Sequence, residues 1–391
     1  MLYIFIIVYC LFCIVKFDAR EGKNNNYVHY WFIFAILTIM SSIQYRMGAD
    51  IITYMTEYNY YNNDLSLNYL FSFASRRPLW VLSIILFKYS GYSFVVFKTA
   101  TAVFVNYVMA RFFFKRARYK YFALLMYFLV LYFHFNYNIL RNSIAISFFL
   151  ISYGYLEKNK YIPYILFNII GFGFHESIAV PAVLSLVFKF VRFEKKTNWI
   201  IGMLVLVGIT IPLIPSGIRE MLQLISLYYD VGLVGERAVG YINKDHYSDF
   251  SLTIIGYLEW LMKLAFYYYV FIQYKKKKQN SDYFSPLTLF LFITVFNNAL
   301  PILYRIAEFY TPFYLICITY AVQNENTIRI NLSKTMVVLL MVFYIHTFFL
   351  FLGGKDKELY QYYPYTSIID KEVVYEREMM YGDKEYIEYI R

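Results

Sequence analysis

Apolar runs of helix length recur along the chain from its start almost to Gly353, separated by short polar breaks. Runs with defined ends fall near 2–17, 27–45, 92–110, 121–136, 139–156, 161–174, 177–191, 198–215, 251–274, 284–300, 304–322 and 334–352. A hydrocarbon core about 30 Å thick asks for roughly 20 mostly apolar residues per helical crossing. The pattern therefore predicts an all-α integral membrane protein, a polytopic bundle of about 12 transmembrane helices. The run from Pro78 to Phe87 is apolar but short, and predicts a re-entrant or interfacial segment near 78–90 instead of a complete crossing. No internal repeat or low-complexity linker divides the chain, so one polytopic membrane domain over 1–391 is the economical description.

Composition agrees: 60% of the 391 residues are hydrophobic, more than a water-soluble fold can hide. Charge then orients the runs. The formal net charge of +11 could suggest nucleic acid, but the Lys and Arg sit in short clusters between apolar runs, as orientation signals do. These clusters are Lys16, Arg20 and Lys23; Arg111 to Lys120; Lys158 and Lys160; Lys189 to Lys196; Lys275 to Lys278; and Arg329 with Lys334. Threaded in order, with 78–90 not crossing, all six fall on one side, which is the cytoplasm. Segments 46–91, 216–250 and 353–391 are then external. The first apolar run lacks a basic start and a small-residue cleavage site, so it stays as a span. Cys10, Cys13 and Cys317 lie inside apolar runs and read as packing residues.

Ionisable groups at or inside spans cost a few kcal/mol and usually face a protein interior or a water-filled cavity. Five places qualify. In Arg46-Met-Gly-Ala-Asp50, followed by Tyr54 and Tyr58, the arginine either binds phosphate or pairs with Asp50, and the two tyrosines at i, i+4 share a helical face. Arg141 and Asn142 open a span on the external side, where a guanidinium beside free backbone N–H groups suits a diphosphate. The turn Gly171-Phe-Gly173-Phe-His175-Glu176-Ser177 offers an imidazole, which titrates near neutral pH, next to a carboxylate. Arg305 and Glu308, at i, i+3, either neutralise each other or supply a second anion-binding arginine. The loop 216–250 holds Arg219, Glu220, Asp230, Glu236, Arg237, Asp245, His246 and Asp249, mostly as solvated charges. There is no Walker loop, no HExxH and no cluster with metal-ligand spacing, which argues against an ATPase or a zinc protease; no metal and no cofactor are expected.

Taken together, these residues resemble the EpsG family of membrane polysaccharide polymerases, related to the Wzy-type O-antigen and capsule polymerases. The resemblance rests on Arg46-x-Gly48-x-Asp50-x-x-x-Tyr54-x-x-x-Tyr58, Pro78-Leu-Trp80, Arg141-Asn-x-Ile144-Ala145, His175-x-Ser177, Arg305-x-x-Glu308-x-Tyr310 and Tyr363-Pro364-Tyr365. Arg77 stands where the family commonly has an acidic residue, and Asn142 where Gln is frequent. The resemblance implies glycosyl transfer at the external face of the bacterial inner membrane, between oligosaccharide repeat units carried on undecaprenyl diphosphate. Arg46, Tyr54, Tyr58, Arg141, Asn142, Arg305 and Glu308 would then bind substrate, and His175, Glu176 or Asp50 would activate the acceptor hydroxyl. The implied partners are that lipid-linked oligosaccharide, membrane lipids, a chain-length regulator and a flippase. The alternative classes are a lipid-linked glycan flippase or transporter, and a membrane acyltransferase that modifies surface glycans.

Overall fold

The structure is a computed structural model that describes residues 2–18, 27–62, 64–72, 77–190, 254–276, 283–296, 303–321 and 362–380, with positions 345 and 348. The expected runs at 198–215 and 334–352 and the loop 216–250 lie outside the described residues, apart from those two positions. Regular structure among the described residues is helical, and one isolated antiparallel bridge joins Gln44 to Ser367. The chain divides into two compact units, 1–178 with 322–391, and 179–321.

The first unit opens with α1 (Leu2–Cys13), α2 (Tyr27–Ile43) and two short helices, α3 (Ile51–Tyr60) and α4 (Leu67–Ser72). Next come α5 (Pro78–Tyr89), α6 (Phe94–Arg116) and α7 (Lys120–Tyr127), the last prolonged by π-helical turns over Phe128–Tyr132 and His134–Asn138. After α8 (Leu140–Glu157) and α9 (Tyr161–Phe172) comes a short 3-10 turn, Glu176–Ile178. The second unit contains α10 (Ala179–Phe190), α11 (Ile254–Lys276), α12 (Phe284–Phe296) and α13 (Leu303–Ala321); the tail of the first ends in α14 (Tyr375–Met380).

Where both are described, the helices match the apolar runs to within a turn or two. α6, 23 residues and about 34 Å long, is the one described helix whose length and apolar composition suffice for a membrane crossing. Polar side chains or short length put the other described helices below that threshold: α8 has 18 residues but carries Arg141, Asn142 and three serines. α5 has 12 residues, about 18 Å, shorter than a hydrocarbon core. Large apolar side chains such as Val28, Ile39, Val103, Ile162 and Ile169 point outward, a liability in water and a suitable lipid-facing surface.

α6 is the axis of the first unit. Tyr30 of α2 donates to the Ala110 carbonyl at 2.7 Å while Ser41 meets Asn106, so α2 runs antiparallel to α6. α8 runs parallel to it: the Phe104 and Phe148 rings meet at 5.2 Å, and the helices finish together where Arg116 pairs with Glu157. The end of α2 and the beginnings of α6 and α8 consequently lie at one end of the unit. Between them, Asn106 donates to Asn136 at 2.8 Å and accepts from Tyr127 at 2.7 Å, so a polar cluster is satisfied inside an apolar wall.

In the second unit α13 packs against α11 and α12 through aromatic rings, with Tyr314 stacked on Phe290 at 4.6 Å and edge-on to Tyr267 at 4.9 Å.

Candidate functional site

The turn that follows α2 packs closely against the π-helical turn that leads into α8. Gly48, at φ 96, lies so near the Tyr137 carbonyl that a Cβ would sit 2.3 Å from its oxygen. Only glycine tolerates both that backbone and that distance. Beside it the Ala49 N–H donates to Asn138 Oδ1 at 2.8 Å. The Arg46–Asp50 turn is thus seated on the residues that lead into Arg141, two motifs that are 89 residues apart at this bond.

Arg46, in an unusual left-handed backbone (φ 50), points elsewhere. Its guanidinium forms a two-pronged ion pair with Glu378 of α14, with Nε donating to Oε1 at 2.7 Å and Nη2 to Oε2. The carboxylate that grips it is Glu378, and Asp50 is exposed at the start of α3. The tail holds the same turn at further points. Tyr45 N–H donates to the Thr366 carbonyl at 2.9 Å, Ile368 N–H to Ile43 at 2.8 Å, and Arg377 to Thr366 Oγ1 at 2.7 Å. Tyr362, just before the Tyr363-Pro364-Tyr365 motif, meets the Asn138 amide through its hydroxyl and Tyr3 through its carbonyl. Arg46 is accordingly an anchor between the first turn and the C-terminal tail.

On α3, Tyr54 and Tyr58 share the buried face that their spacing predicts. Tyr54 packs edge-on against Trp80 at 5.4 Å; Tyr58 lies on Phe97 at 5.6 Å and donates to the Tyr92 carbonyl at 2.7 Å. Trp80 Nε1 donates to Glu57 Oε2 at 3.0 Å. The Arg141 guanidinium interacts with the Tyr54 hydroxyl, which also feels the charge of Asp50. Asp50, Tyr54 and Arg141 form one local group.

The turn after α9 adds the titratable side chains. α5 begins at Pro78, whose missing N–H costs nothing at that position, and the next N–H, of Leu79, donates to the Gly173 carbonyl at 3.0 Å. Arg77 Nε donates to Glu176 Oε2 at 3.0 Å, and its guanidinium lies 4.7 Å from the Phe172 ring. Partial burial pushes the Glu176 carboxyl upward, but a backbone N–H, the Arg77 hydrogen bond and the charges of His175 and Arg77 outweigh it and hold it well below the usual carboxylate range. The basic residue at the position where the family commonly has an acid thus finds its carboxylate across the turn. His175 is buried, with Nδ1 2.8 Å from Ser177 Oγ, and that hydroxyl donates to Asn142 Oδ1 at 2.6 Å. An imidazole is thereby tied through Ser177 to the residue next to Arg141.

Arg305 and Glu308 belong to the second unit, on the first turns of α13, with Glu308 buried. Two turns of backbone near them are fixed by Tyr310, which donates to the Pro181 carbonyl at 3.0 Å and meets Ser185 at 3.1 Å. Sequence reasoning passed over Glu57, Glu378 and, above all, Lys98. The last is a lone charge in an apolar run, which is a sufficient signal for attention. Among the described residues no group of three or more His, Cys, Asp or Glu is placed to hold a metal ion.

A model of the EpsG family matches residues 27–367. No curated protein and no solved structure matches the chain.

Proposed function

The chain belongs to the EpsG family, whose members are Wzy-like polysaccharide polymerases, and on that premise we propose that it joins oligosaccharide repeat units carried on undecaprenyl diphosphate. The reaction would take place at the external face of the bacterial inner membrane, in a bundle of about twelve crossings oriented by its basic clusters. The observation that supports this reading is a pair of groups in the first unit that meet at neighbouring residues of α8, Asp50 and Tyr54 with Arg141, and His175 and Ser177 with Asn142. Together they offer a guanidinium for a phosphate and an imidazole for a hydroxyl.

In the proposed step the acceptor hydroxyl of one lipid-linked unit attacks the anomeric carbon of the growing chain. The new C–O bond forms as the bond from that carbon to the diphosphate oxygen breaks, and undecaprenyl diphosphate leaves with the electron pair. His175 takes the hydroxyl proton, with Ser177 and Asn142 fixing the ring. Glu176 is the weaker candidate for that role, because an ionised carboxylate held down by Arg77 has little affinity for a proton. Arg141 stabilises the departing diphosphate by paired charge-assisted hydrogen bonds. Asp50 and Tyr54 orient that arginine, and Arg305 and Glu308 are kept as substrate-binding residues of the second unit. Loss of the diphosphate supplies the driving force, so no nucleotide, metal or cofactor is required. A flippase would deliver the units and a chain-length regulator would set when the cycle stops.

The lipid-linked glycan profile of a deletion strain tests this. Single-unit glycans at the external leaflet are expected; long chains of normal length would overturn the assignment. Units trapped on the cytoplasmic leaflet would indicate a transporter instead.

A further inference from the structure

Lys98 lies in the second turn of α6 and is buried, with 2% of its surface exposed. Its Nζ has no hydrogen-bond partner among the described residues. The nitrogen lies over the face of Tyr137, 5.6 Å from the ring centroid. A cation–π contact offsets only part of what withdrawing an ammonium from water costs. Other buried or half-buried basic groups of this unit do have described partners: Arg46 has Glu378, Arg77 has Glu176, Arg116 has Glu157, and Arg377 has Thr366 Oγ1 and the Pro364 carbonyl. At Lys98 the described chain supplies a basic nitrogen without a polar partner.

The position of Lys98 says what partner would suit it. α6 and α8 are parallel, and their register is set where Phe104 meets Phe148 and Arg116 meets Glu157. Counting back from the second point, Lys98 lies about 27 Å and Arg141 about 24 Å along their helices, less than one turn apart in depth. The ring that Lys98 faces belongs to Tyr137, whose carbonyl abuts Gly48, so the ammonium stands behind the same turn that carries Asp50. Helical side chains tilt toward the N terminus, so a change of rotamer carries this ammonium toward the end where Arg141 begins α8. Two basic side chains at one depth suit a ligand with two adjacent anionic groups, which would hold the lysine in its charged form.

We propose that Lys98 is a further substrate-binding residue, its ammonium holding one phosphate of the substrate's diphosphate while Arg141 holds the other. This rests on the lipid-diphosphate reading of the preceding subsection. The division of labour suits the two side chains, since the guanidinium fork grips two oxygens in a fixed plane and the ammonium is a compact charge that follows the moving phosphate. Lys98 then discriminates diphosphate from monophosphate, because only the former reaches both cations.

The test uses the full chain in phosphatidylcholine nanodiscs, with undecaprenyl diphosphate and undecaprenyl monophosphate as probes and intrinsic tryptophan fluorescence as the readout. K98M should weaken diphosphate binding about tenfold or more, change monophosphate binding less than about twofold, and K98R should recover most of the loss. K98M should also unfold at an equal or higher temperature, because it removes a buried polar nitrogen with no hydrogen-bond partner. Diphosphate binding by K98M equal to wild type, alongside a loss in R141K, overturns the role of Lys98 alone. Failure of the wild-type chain to bind diphosphate overturns the lipid-diphosphate reading and this inference together. If K98M does not yield a monodisperse protein, K98Q is read against the same criteria.

Discussion

The two ends of α6 handle positive charge in opposite ways. At the C-terminal end Arg116 lies 4.7 Å from the Phe112 ring and is closed by Glu157, the last residue of α8. At the N-terminal end Lys98 has an aromatic face and no carboxylate among the described residues. A buried basic group that serves the fold comes with polar partners, a carboxylate at Arg46 and Arg116 or a hydroxyl and a carbonyl at Arg377, because leaving it without any would cost more than most single contacts supply. A basic group left without them keeps its electrostatic capacity for something that arrives from outside. The same contrast separates Arg46, closed by Glu378, from Arg141, whose described partners are neutral or exposed groups.

The largest expected effect tests the closed end. E157A leaves Arg116 without its carboxylate in a largely buried position and should cost about 3 kcal/mol, measured by denaturant unfolding in detergent. The double variant R116L/E157L should recover most of it. If E157A is neutral, Arg116 is no more committed than Lys98 and the contrast fails. At the open end, backbone fit does the equivalent work. G48A forces a Cβ against the Tyr137 carbonyl and an unfavourable φ, so it should cost about 2 kcal/mol and lower polymer length in cells at unchanged protein level.

The smallest effect separates the Arg77–Glu176 pair, which is partly exposed, from the two closed pairs. The folded-state value of Glu176 lies below its ordinary value of 4.5, so its stabilising contribution is complete above that pH. It is lost as pH falls from there through the folded value. Acid unfolding of E176Q should show a shallower slope than wild type below pH 4.5, and equal slopes would remove the pair from the account.

Much of the local chemistry was legible because it depends on short spacings. The i, i+4 relation of Tyr54 and Tyr58 places both on one buried face, and the glycines before His175 do mark a break between helices. Partners were not legible. Arg46 finds its carboxylate 332 residues away, while Asp50, only four positions on, is left exposed. Arg77 looked like a departure from its family's pattern and is instead one half of a pair with Glu176, 99 residues distant.

The chain's periodicity and composition by themselves determine a helical membrane protein, since a bilayer accepts few other arrangements of so much apolar sequence. They also mark most of the polar interruptions at which chemistry can occur. Tertiary structure alone decided which of those charges are spent. Arg46 and Arg116 are neutralised by carboxylates that only the fold brings near, whereas Lys98, the lone basic residue of its apolar run, is buried on the face of Tyr137 with no hydrogen-bond partner among the described residues. The reason is physical: the cost of a charge is set by what surrounds it in space, and sequence separation carries no information about that distance.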